Sequence, residues 1–250
     1  MEMLKVQNIT KSFGGIKAVN NLSFVVDQNT ITGLIGPNGA GKTVTFDILT
    51  GFTKPDSGKV FFKNQEITNK QPFEIARMGI ARSFQLIKLF PQMKVMDVLL
   101  FAAQNKLLRH EFRLSLKSNN RYSAIEDVIA DLNIANLRDK ICSELSYGEQ
   151  KLVEIASLLV MEPAPEILLF DEPTSGLSEP EIRNIISIFQ KLRERNLTFL
   201  IIEHNMSFIM NICDKIIVLN YGSKIAEGKP QEVKQKKEVV EAYLGESESA

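Results

Sequence analysis

Residues Gly36 to Thr43 form a glycine-rich loop, GPNGAGKT, whose spacing is typical of loops that bind phosphate groups. The segment Ile31 to Ile35 before the loop has the composition of a strand, and a helical pattern follows the loop. In this context glycines let successive backbone N–H groups turn towards phosphate oxygens, and the helix beginning near Gly41 adds its positive N-terminal end. The sequence therefore predicts a site for a nucleoside triphosphate.

Two side chains at the end of this loop carry the predicted chemistry. Lys42 supplies a positive charge for the β- and γ-phosphates, and Thr43 supplies a hydroxyl group for Mg²⁺. The residues predicted to bind the nucleotide here are Gly36, Pro37, Asn38, Gly39, Ala40, Gly41, Lys42, Thr43 and Val44.

A second group of candidate residues follows the apolar run Ile167 to Phe170, which has the pattern of a parallel strand buried on both faces. The run ends on Asp171 and Glu172. Carboxylates at the C-terminal end of such a strand lie beside the ligand crevice of an open α/β sheet. We therefore predict that Asp171 reaches Mg²⁺, directly or through water, and that Glu172 orients or deprotonates the attacking water.

A third motif, LSYGEQ at Leu145 to Gln150, precedes that strand and places Ser146 and Gly148 at the start of a helix. With this motif the chain, over nearly all of its 250 residues, resembles the ATP-binding subunit of an ATP-binding-cassette (ABC) transporter. In that family the motif completes the nucleotide site of the opposite subunit in a head-to-tail dimer. The resemblance implies that Ser146, Gly148 and Glu149 contact the nucleotide held by the partner.

A finer resemblance is to the first of the two ATPase subunits of high-affinity branched-chain amino acid importers. Tyr147 contributes to it, as do KSFGGIKAVNNLSF from Lys11, IARMGIARSFQ from Ile75, IEHNM from Ile202 and VVEAYLGE from Val239. By this resemblance Phe13 stacks on adenine, Gln85 senses the γ-phosphate and contacts Mg²⁺, and His204 polarises the γ-phosphate.

The same resemblance implies the cofactors, the partners and the location. ATP and Mg²⁺ are the expected ligands. The expected partners are two transmembrane permease subunits, a second ATPase subunit or a second copy of this chain, and indirectly an extracytoplasmic solute-binding protein. The chain would lie peripherally on the cytoplasmic face of the cell membrane, and segments near Gln85, Phe90 and Pro91 would receive the permeases.

Three positions depart from the family pattern. Val44 replaces a second hydroxyl residue that would contact the α-phosphate, a hydrogen bond worth about 1 kcal/mol. Tyr147 replaces the first glycine of the signature motif. Ser178 stands where many relatives carry Asp or Asn, and with Glu181 it is expected to form a capping box for the following helix.

Composition limits the class of protein. The chain has 44% apolar residues, enough for one substantial α/β core, and a formal net charge of zero, which gives no strong field for nucleic acid. Cys142 and Cys213 occur without a CxxC pattern and are expected to be reduced thiols in a cytosolic protein. No apolar run approaches the roughly 18 residues of a membrane span, and the N-terminus lacks a signal-peptide pattern.

We predict one α/β domain, residues 1–250, with a P-loop NTPase (RecA-like) core. Strands at Leu4 to Thr10, Leu22 to Val26 and Lys59 to Lys63 are expected to form an antiparallel β subdomain beside the main sheet. A helical subdomain is expected at about 88–155, with a solvated basic insertion at 106–122. A hairpin is predicted at 215–226, and a helix and tail at 231–250, with the tail disordered after Glu246.

Other functions remain open at this point. A non-transport cassette ATPase of DNA repair or translation would usually carry two cassettes or a long coiled coil, and this sequence has neither. A lipid exporter ATPase is disfavoured by Tyr147 and the ARSFQ context, and a P-loop kinase would make LSYGEQ accidental. ATPases of urea or amide importers stay as an alternative, because the ATPase does not touch the transported solute.

Overall fold

Two β-sheets and the helices around them form the protein in a computed structural model that describes residues 1–84, 89–103 and 118–247. The strands in these ranges are β1 (Glu2–Phe13), β2 (Ile16–Asp27), β3 (Ile31–Ile35), β4 (Ser57–Phe62), β5 (Gln65–Glu66), β6 (Ile80–Arg82), β7 (Ile167–Asp171), β8 (Thr198–Ile202), β9 (Lys215–Asn220) and β10 (Ser223–Gly228). The α-helices are α1 (Lys42–Leu49), α2 (Pro72–Arg77), α3 (Val95–Ala102), α4 (Ser118–Leu132), α5 (Tyr147–Leu159), α6 (Glu179–Arg193), α7 (Met206–Ile212), α8 (Pro230–Val233) and α9 (Lys237–Ser247).

The main sheet has the strand order β10-β9-β3-β8-β7-β6. Its strands are parallel except for β10, which pairs antiparallel with β9. All residues of β3, β7 and β8 are buried, as expected for parallel strands covered on both faces. The predicted α/β fold class is confirmed.

Strand β7 shows how the main sheet separates two hydrophobic cores. Leu168 and Phe170 belong to a core shared with the helices α3 to α7, whereas Ile167 and Leu169 belong to a core shared with α1 and the second sheet. This division follows from the strand geometry, because successive side chains point to opposite faces. The continuous apolar run ILLF is therefore needed to fill both cores.

The register of the central strands brings their carboxyl ends to one edge of the sheet. Asp171 of β7 pairs with Ile202 of β8, and Ile202 also pairs with Leu34 of β3. The loops that leave these strands, from Gly36, Glu172 and Glu203, consequently begin side by side. In an open α/β sheet this edge is where ligands bind.

The second sheet is antiparallel, in the order β2-β1-β4-β5, as predicted, but its first two strands are longer than the sequence patterns indicated. They continue to a pair between Phe13 and Ile16 because Gly14 and Gly15 make a two-residue turn with φ of 51° and 88°. Such left-handed turns match the twist of the flanking strands and are accessible to glycine.

The helical layer is formed by α3, α4 and α5, with short 3-10 turns between α4 and α5. These helices pack their apolar faces into the core that contains Leu168 and Phe170. The buried residues are Val95, Val98 and Leu99 on α3 and Ile125, Val128, Ile129 and Leu132 on α4. Most of the insertion predicted at 106–122 lies outside the described residues.

The hairpin predicted at 215–226 is formed by β9 and β10, and α8 and α9 follow it. Val233 and Val239 pack with Ile216 and Val218 of β9 in a third, smaller core. Residues 248–250 of the predicted tail lie outside the described residues. Within the described ranges, the structure contains no helix that is both long and apolar enough to cross a membrane.

A core substitution tests this packing. Phe189 of α6 is 0% exposed, and its ring contacts the rings of Phe170, Phe199 and Phe208 at centroid distances of 5.0, 5.4 and 5.7 Å. Phe189→Ala should lower the free energy of unfolding by about 3–5 kcal/mol, because a large cavity is left among rings that cannot collapse into it. Urea unfolding of the nucleotide-free protein measures this loss.

The control is Phe73→Ala on α2, since Phe73 is 57% exposed and its truncation leaves no cavity. This variant should lose less than about 1 kcal/mol. Equal losses for the two variants would contradict the described core.

Candidate active site

The predicted phosphate-binding loop, residues 36–43, depends on glycine at two positions. Gly36 has φ of 149° and Gly41 has φ of 95°, and a Cβ at either would lie only 2.2 Å from a backbone oxygen, that of Leu219 or Ala18 respectively. Any side chain at these positions would have to push away a neighbouring strand. The loop is thus held between β9 and β2, with Gly41 as the N-cap of α1.

Lys42 is folded back over its own loop. Its side chain is buried, and Nζ donates hydrogen bonds to the carbonyl oxygens of Gly36 at 2.7 Å and Pro37 at 2.8 Å. These two bonds hold the ammonium group against the backbone of the loop. Thr43 is exposed in the first turn of α1, while Val44 is half-buried against the second core.

Asp171 is buried at the end of β7 and pairs with Arg82. Nη2 of Arg82 lies 3.1 Å from Oδ2 of Asp171, and Nη1 lies 2.6 Å from Oδ1 of Asp47. Burial raises the pKa of the Asp171 carboxyl group above its ordinary value, although the Arg82 charge acts in the opposite direction. Motif reasoning did not assign Arg82 a role, because only the strand pairing shows that it faces the carboxylate.

The residues present fit a magnesium ion bound with a nucleotide. Mg²⁺ is usually held by one or two carboxylates together with substrate phosphates. Thr43 and Asp171 offer hard oxygen ligands at the same edge of the sheet. In the described part of the chain, no group of three or more His, Cys, Asp or Glu side chains could hold a metal without other ligands.

Glu172 and His204 are brought together by the ends of β7 and β8. Nε2 of His204 lies 3.1 Å from Oε1 of Glu172, and both side chains keep part of their surface accessible. The Glu172 N–H group donates to the carbonyl of Ile202 at 2.9 Å, and Glu172 has a left-handed φ of 52°. A non-glycine residue in this region costs conformational energy, a feature often found at functional sites.

Glu203, next to His204, is a buried carboxylate that the motifs did not single out. It is 3% exposed and accepts hydrogen bonds from Thr174 in the loop after β7 and from the N–H groups of His204 and Asn205. A sequence signal did exist, since a charged residue directly after an apolar strand needs buried partners.

The signature segment begins α5 with a capping box. Ser146 Oγ accepts from the Glu149 N–H group at 3.2 Å, and Glu149 Oε2 accepts from the Ser146 N–H group at 2.8 Å. Glu149 also pairs with Lys140 at 3.1 Å, and the Ser146 N–H bond above all lowers the pKa of Glu149. Ser146 remains exposed at the helix start.

Tyr147 joins the signature segment to the loop that follows Glu172. A Cβ at Gly176 would lie 2.9 Å from the Tyr147 ring, and a Cβ at Gly148 would lie 2.2 Å from Glu181 Oε1. The predicted capping box before α6 is confirmed, with Glu181 Oε2 accepting from the Ser178 N–H group at 2.8 Å. Two segments that carry candidate residues are therefore in contact within one subunit.

The remaining candidates are Phe13 and Gln85. Phe13 is 51% exposed at the end of β1, in the hairpin whose Ala18 oxygen contacts Gly41 at the start of α1. Gln85 lies outside the described residues, directly after Phe84.

Two family models match the chain. One described as "ABC transporter" matches residues 19–175. Another described as "Branched-chain amino acid ATP-binding cassette transporter" matches residues 223–249.

Curated relatives extend over the whole chain. The protein named high-affinity branched-chain amino acid transport ATP-binding protein BraF, from Pseudomonas aeruginosa, is 36% identical over 255 residues, covering 98% of each chain. LivG of Escherichia coli, which carries the same descriptive name, is 37% identical over 253 residues and also covers 98% of each.

Solved structures agree in fold. The ADP conformation of MJ1267, described as an ATP-binding cassette of an ABC transporter, superposes with a TM-score of 0.86 at 34% identity, covering 98% of this chain and 99% of MJ1267. A dimeric post-hydrolysis state of the cassette MJ0796 bound to ADP and Pi has a TM-score of 0.75 at 25% identity, covering 91% of this chain and 99% of that one. The chain thus belongs to the ABC transporter family and is one of its ATP-binding, ATP-hydrolysing cassettes.

Proposed function

We propose that this protein is the ATP-hydrolysing subunit of an ABC importer for amino acids, with branched-chain amino acids as the substrate class. The observation that carries the proposal is the similarity to BraF and LivG over 98% of each chain, supported by the branched-chain family model at residues 223–249. Its location would be peripheral, at the cytoplasmic face of the cell membrane, bound to permease subunits.

ATP is proposed to bind with its phosphates on the loop 36–43 and its adenine against Phe13. Lys42 Nζ exchanges the carbonyl oxygens of Gly36 and Pro37 for β- and γ-phosphate oxygens. Thr43, Asp171 and Gln85 would hold Mg²⁺. The ion, when bound, neutralises charge that develops on the phosphates.

Hydrolysis is assigned to the residues at the ends of β7 and β8. Glu172 orients the attacking water and accepts its proton, and His204, 3.1 Å from that carboxylate, fixes its direction and contacts the γ-phosphate. Arg82 keeps Asp171 paired in the nucleotide-free protein. Because the three loops start from neighbouring strands, the phosphate, the water and the proton acceptor can be aligned without large backbone movement.

The site is proposed to be completed by a second ATPase subunit in a head-to-tail dimer. Ser146 and Gly148 start helix α5, where a hydroxyl group and backbone N–H groups suit a γ-phosphate from the partner. The dimeric post-hydrolysis state of MJ0796, bound to ADP and Pi, supports a dimer of cassettes. ATP binding would close the dimer, and hydrolysis would open it again.

An apolar groove that Phe84 helps to line is the proposed docking site for the permease. Its volume is about 210 Å³, and it is lined mainly by side chains of α2 and β6, with Leu158 of α5 and Phe84 and Met161 just beyond the ends of β6 and α5. Phe52, Phe73 and Phe84 are 56%, 57% and 38% exposed. Exposed aromatic rings around a groove are typical of a surface that binds the apolar face of a partner helix. Phe90, also assigned to this contact, is 49% exposed and packs edge-on against Phe101.

A buried ion pair connects this groove to the signature segment. Lys151 is 1% exposed and lies 3.6 Å from Glu154, and its ammonium group is 6.0 Å from the centre of the Tyr147 ring. Glu154 accepts a hydrogen bond from the backbone of Phe84, and burial raises its pKa. Occupancy of the groove could in this way be transmitted to the partner's nucleotide through α5.

Glu172→Gln tests the hydrolytic assignment. The variant should lower ATP turnover by about 10²–10⁴-fold, because an amide cannot accept the proton of water. Its ATP affinity should be nearly unchanged, since the phosphate contacts come from other residues. Phosphate release and nucleotide binding measure the two quantities separately.

Glu179→Gln is the matched control, because Glu179 lies exposed at the start of α6 and should keep full turnover. Normal hydrolysis in Glu172→Gln would remove Glu172 from the mechanism.

Ser146→Arg tests the shared site. In the Glu172→Gln background, which retains ATP, the added arginine should prevent ATP-driven dimer closure because its bulk fills the space for the partner's γ-phosphate. Light scattering with and without ATP measures closure. Ser57→Arg, at an exposed position of β4, should close normally. Closure by Ser146→Arg would reject the head-to-tail arrangement at this position.

Phe73→Asp tests the docking groove and the transport assignment together. Tagged protein purified from its native membranes in mild detergent should carry two multi-span permease subunits and a second similar ATPase, identified by mass spectrometry. Phe73→Asp should reduce permease recovery at least about tenfold, because a charge would be desolvated in the contact.

Val240→Asp serves as the control, since Val240 is 43% exposed on α9, an element that does not line the groove. Recovery of the wild-type protein with ribosomes or DNA and without permeases would overturn transport. Equal permease recovery with Phe73→Asp would overturn the groove alone.

A further inference from the structure

We infer that Glu203 is a positioning residue for ATP hydrolysis, a buried carboxylate that ties the loop carrying Glu172 to the loop carrying His204. The inference rests on the proposed roles of Glu172 and His204. It assigns to Glu203 a function that acts through those two side chains.

Each oxygen of the Glu203 carboxylate serves one of the two loops. Oε1 accepts from the N–H group of Thr174 at 2.8 Å and from its hydroxyl group. Oε2 accepts from the N–H groups of His204 at 2.7 Å and Asn205 at 2.9 Å. Thr174 lies two residues after Glu172, so the carboxylate bridges the residues that flank the Glu172–His204 contact.

Because Glu203 is buried, its carboxylate needs all of these hydrogen bonds. The residue is 3% exposed, and a buried charge is costly unless hydrogen bonds compensate it. None of the ion pairs found among the described residues includes Glu203, so its charge is compensated by three N–H groups and one hydroxyl group. These donors have fixed directions, and both oxygens must accept for the arrangement to hold.

The Glu172–His204 distance depends on this bridge. The two side chains belong to different loops, and the Glu172 N–H group donates to the carbonyl of Ile202 at the end of β8. The left-handed φ of Glu172 also has to be maintained by the surroundings. Fixing Thr174 and the His204 N–H group to one carboxylate holds the two loops at a set separation.

The bridge also reaches the dimer surface. Thr174 precedes Gly176, against which the Tyr147 ring packs. The same carboxylate therefore positions the residues proposed for hydrolysis and the segment that contacts the signature motif.

Glu203→Gln is the direct test. One oxygen becomes an NH₂ group, which cannot accept from an N–H group, so at least one of the three N–H donors loses its acceptor. We expect kcat for ATP to fall at least about tenfold while the dissociation constant of ATP changes less than about twofold, because the phosphate contacts lie in residues 36–43. An unchanged kcat would overturn the inference.

If Glu203→Gln does not fold, Thr174→Val tests the same bridge with a smaller change, and Thr32→Val is its control. Thr174→Val removes only the hydroxyl donor and should lower kcat, again with ATP affinity retained. Thr32→Val is the matched control, because Thr32 is fully buried on β3 and its hydroxyl has no hydrogen-bond partner among the described residues. Its kcat should remain at the wild-type level. Equal kcat for the two Val variants would count against the bridge.

A double-mutant cycle separates positioning from a general loss of stability. Glu203→Gln and Thr174→Val both weaken the bridge made by one carboxylate, so the combined variant should lose less kcat than the product of the two single losses, which independent effects would give. Glu172→Gln is measured beside them. If Glu172→Gln hydrolyses ATP normally, the proposed mechanism fails; if it is inactive and Glu203→Gln is fully active, only the inference about Glu203 fails.

Discussion

The parallel register of β3, β8 and β7 is the constraint on which the site depends. It ends three buried strands at the same edge, with Leu34 opposite Ile202 and Ile202 opposite Asp171. The phosphate loop, the histidine and the carboxylates then follow directly from the ends of neighbouring strands. Because these strands are buried on both faces, a shift of one residue would move apolar side chains between two different cores and is strongly disfavoured.

Buried charged side chains at this edge of the sheet are already held in place in the nucleotide-free protein. Lys42 bonds to the carbonyl oxygens of its own loop, Asp171 pairs with Arg82, and Glu203 is held by N–H and hydroxyl donors. Each of these groups would be costly to bury alone. Lys42 would exchange its carbonyl partners for phosphate oxygens, whereas the bonds of Glu203 can stay in place, and this limits the reorganisation required when phosphates enter.

The sequence predicted the parts of this site whose cause is local. Ile31 to Ile35 indicated a strand by composition, Ile167 to Phe170 indicated a strand buried on both faces, and the spacing in Gly36 to Thr43 indicated a phosphate-binding loop. Arg82 and Glu203 escaped prediction because their partners, Asp171 and Thr174, are 89 and 29 residues away in sequence. Contacts between residues so far apart depend on the order of strands in the sheet, and the hydrophobic periodicity of the sequence does not specify that order. The roles of the candidate residues themselves remain predictions.

The nucleotide site shared between two subunits is tested by the crystal structure of the Glu172→Gln variant with the ATPase subunit that copurifies with it, or with its own second copy, in the presence of ATP and Mg²⁺. We predict a head-to-tail dimer in which Lys42 has left the Gly36 and Pro37 carbonyls for the phosphates and Ser146 contacts the γ-phosphate held by the second subunit. A monomer with bound ATP, or a dimer whose signature motifs lie away from the nucleotide, would contradict it.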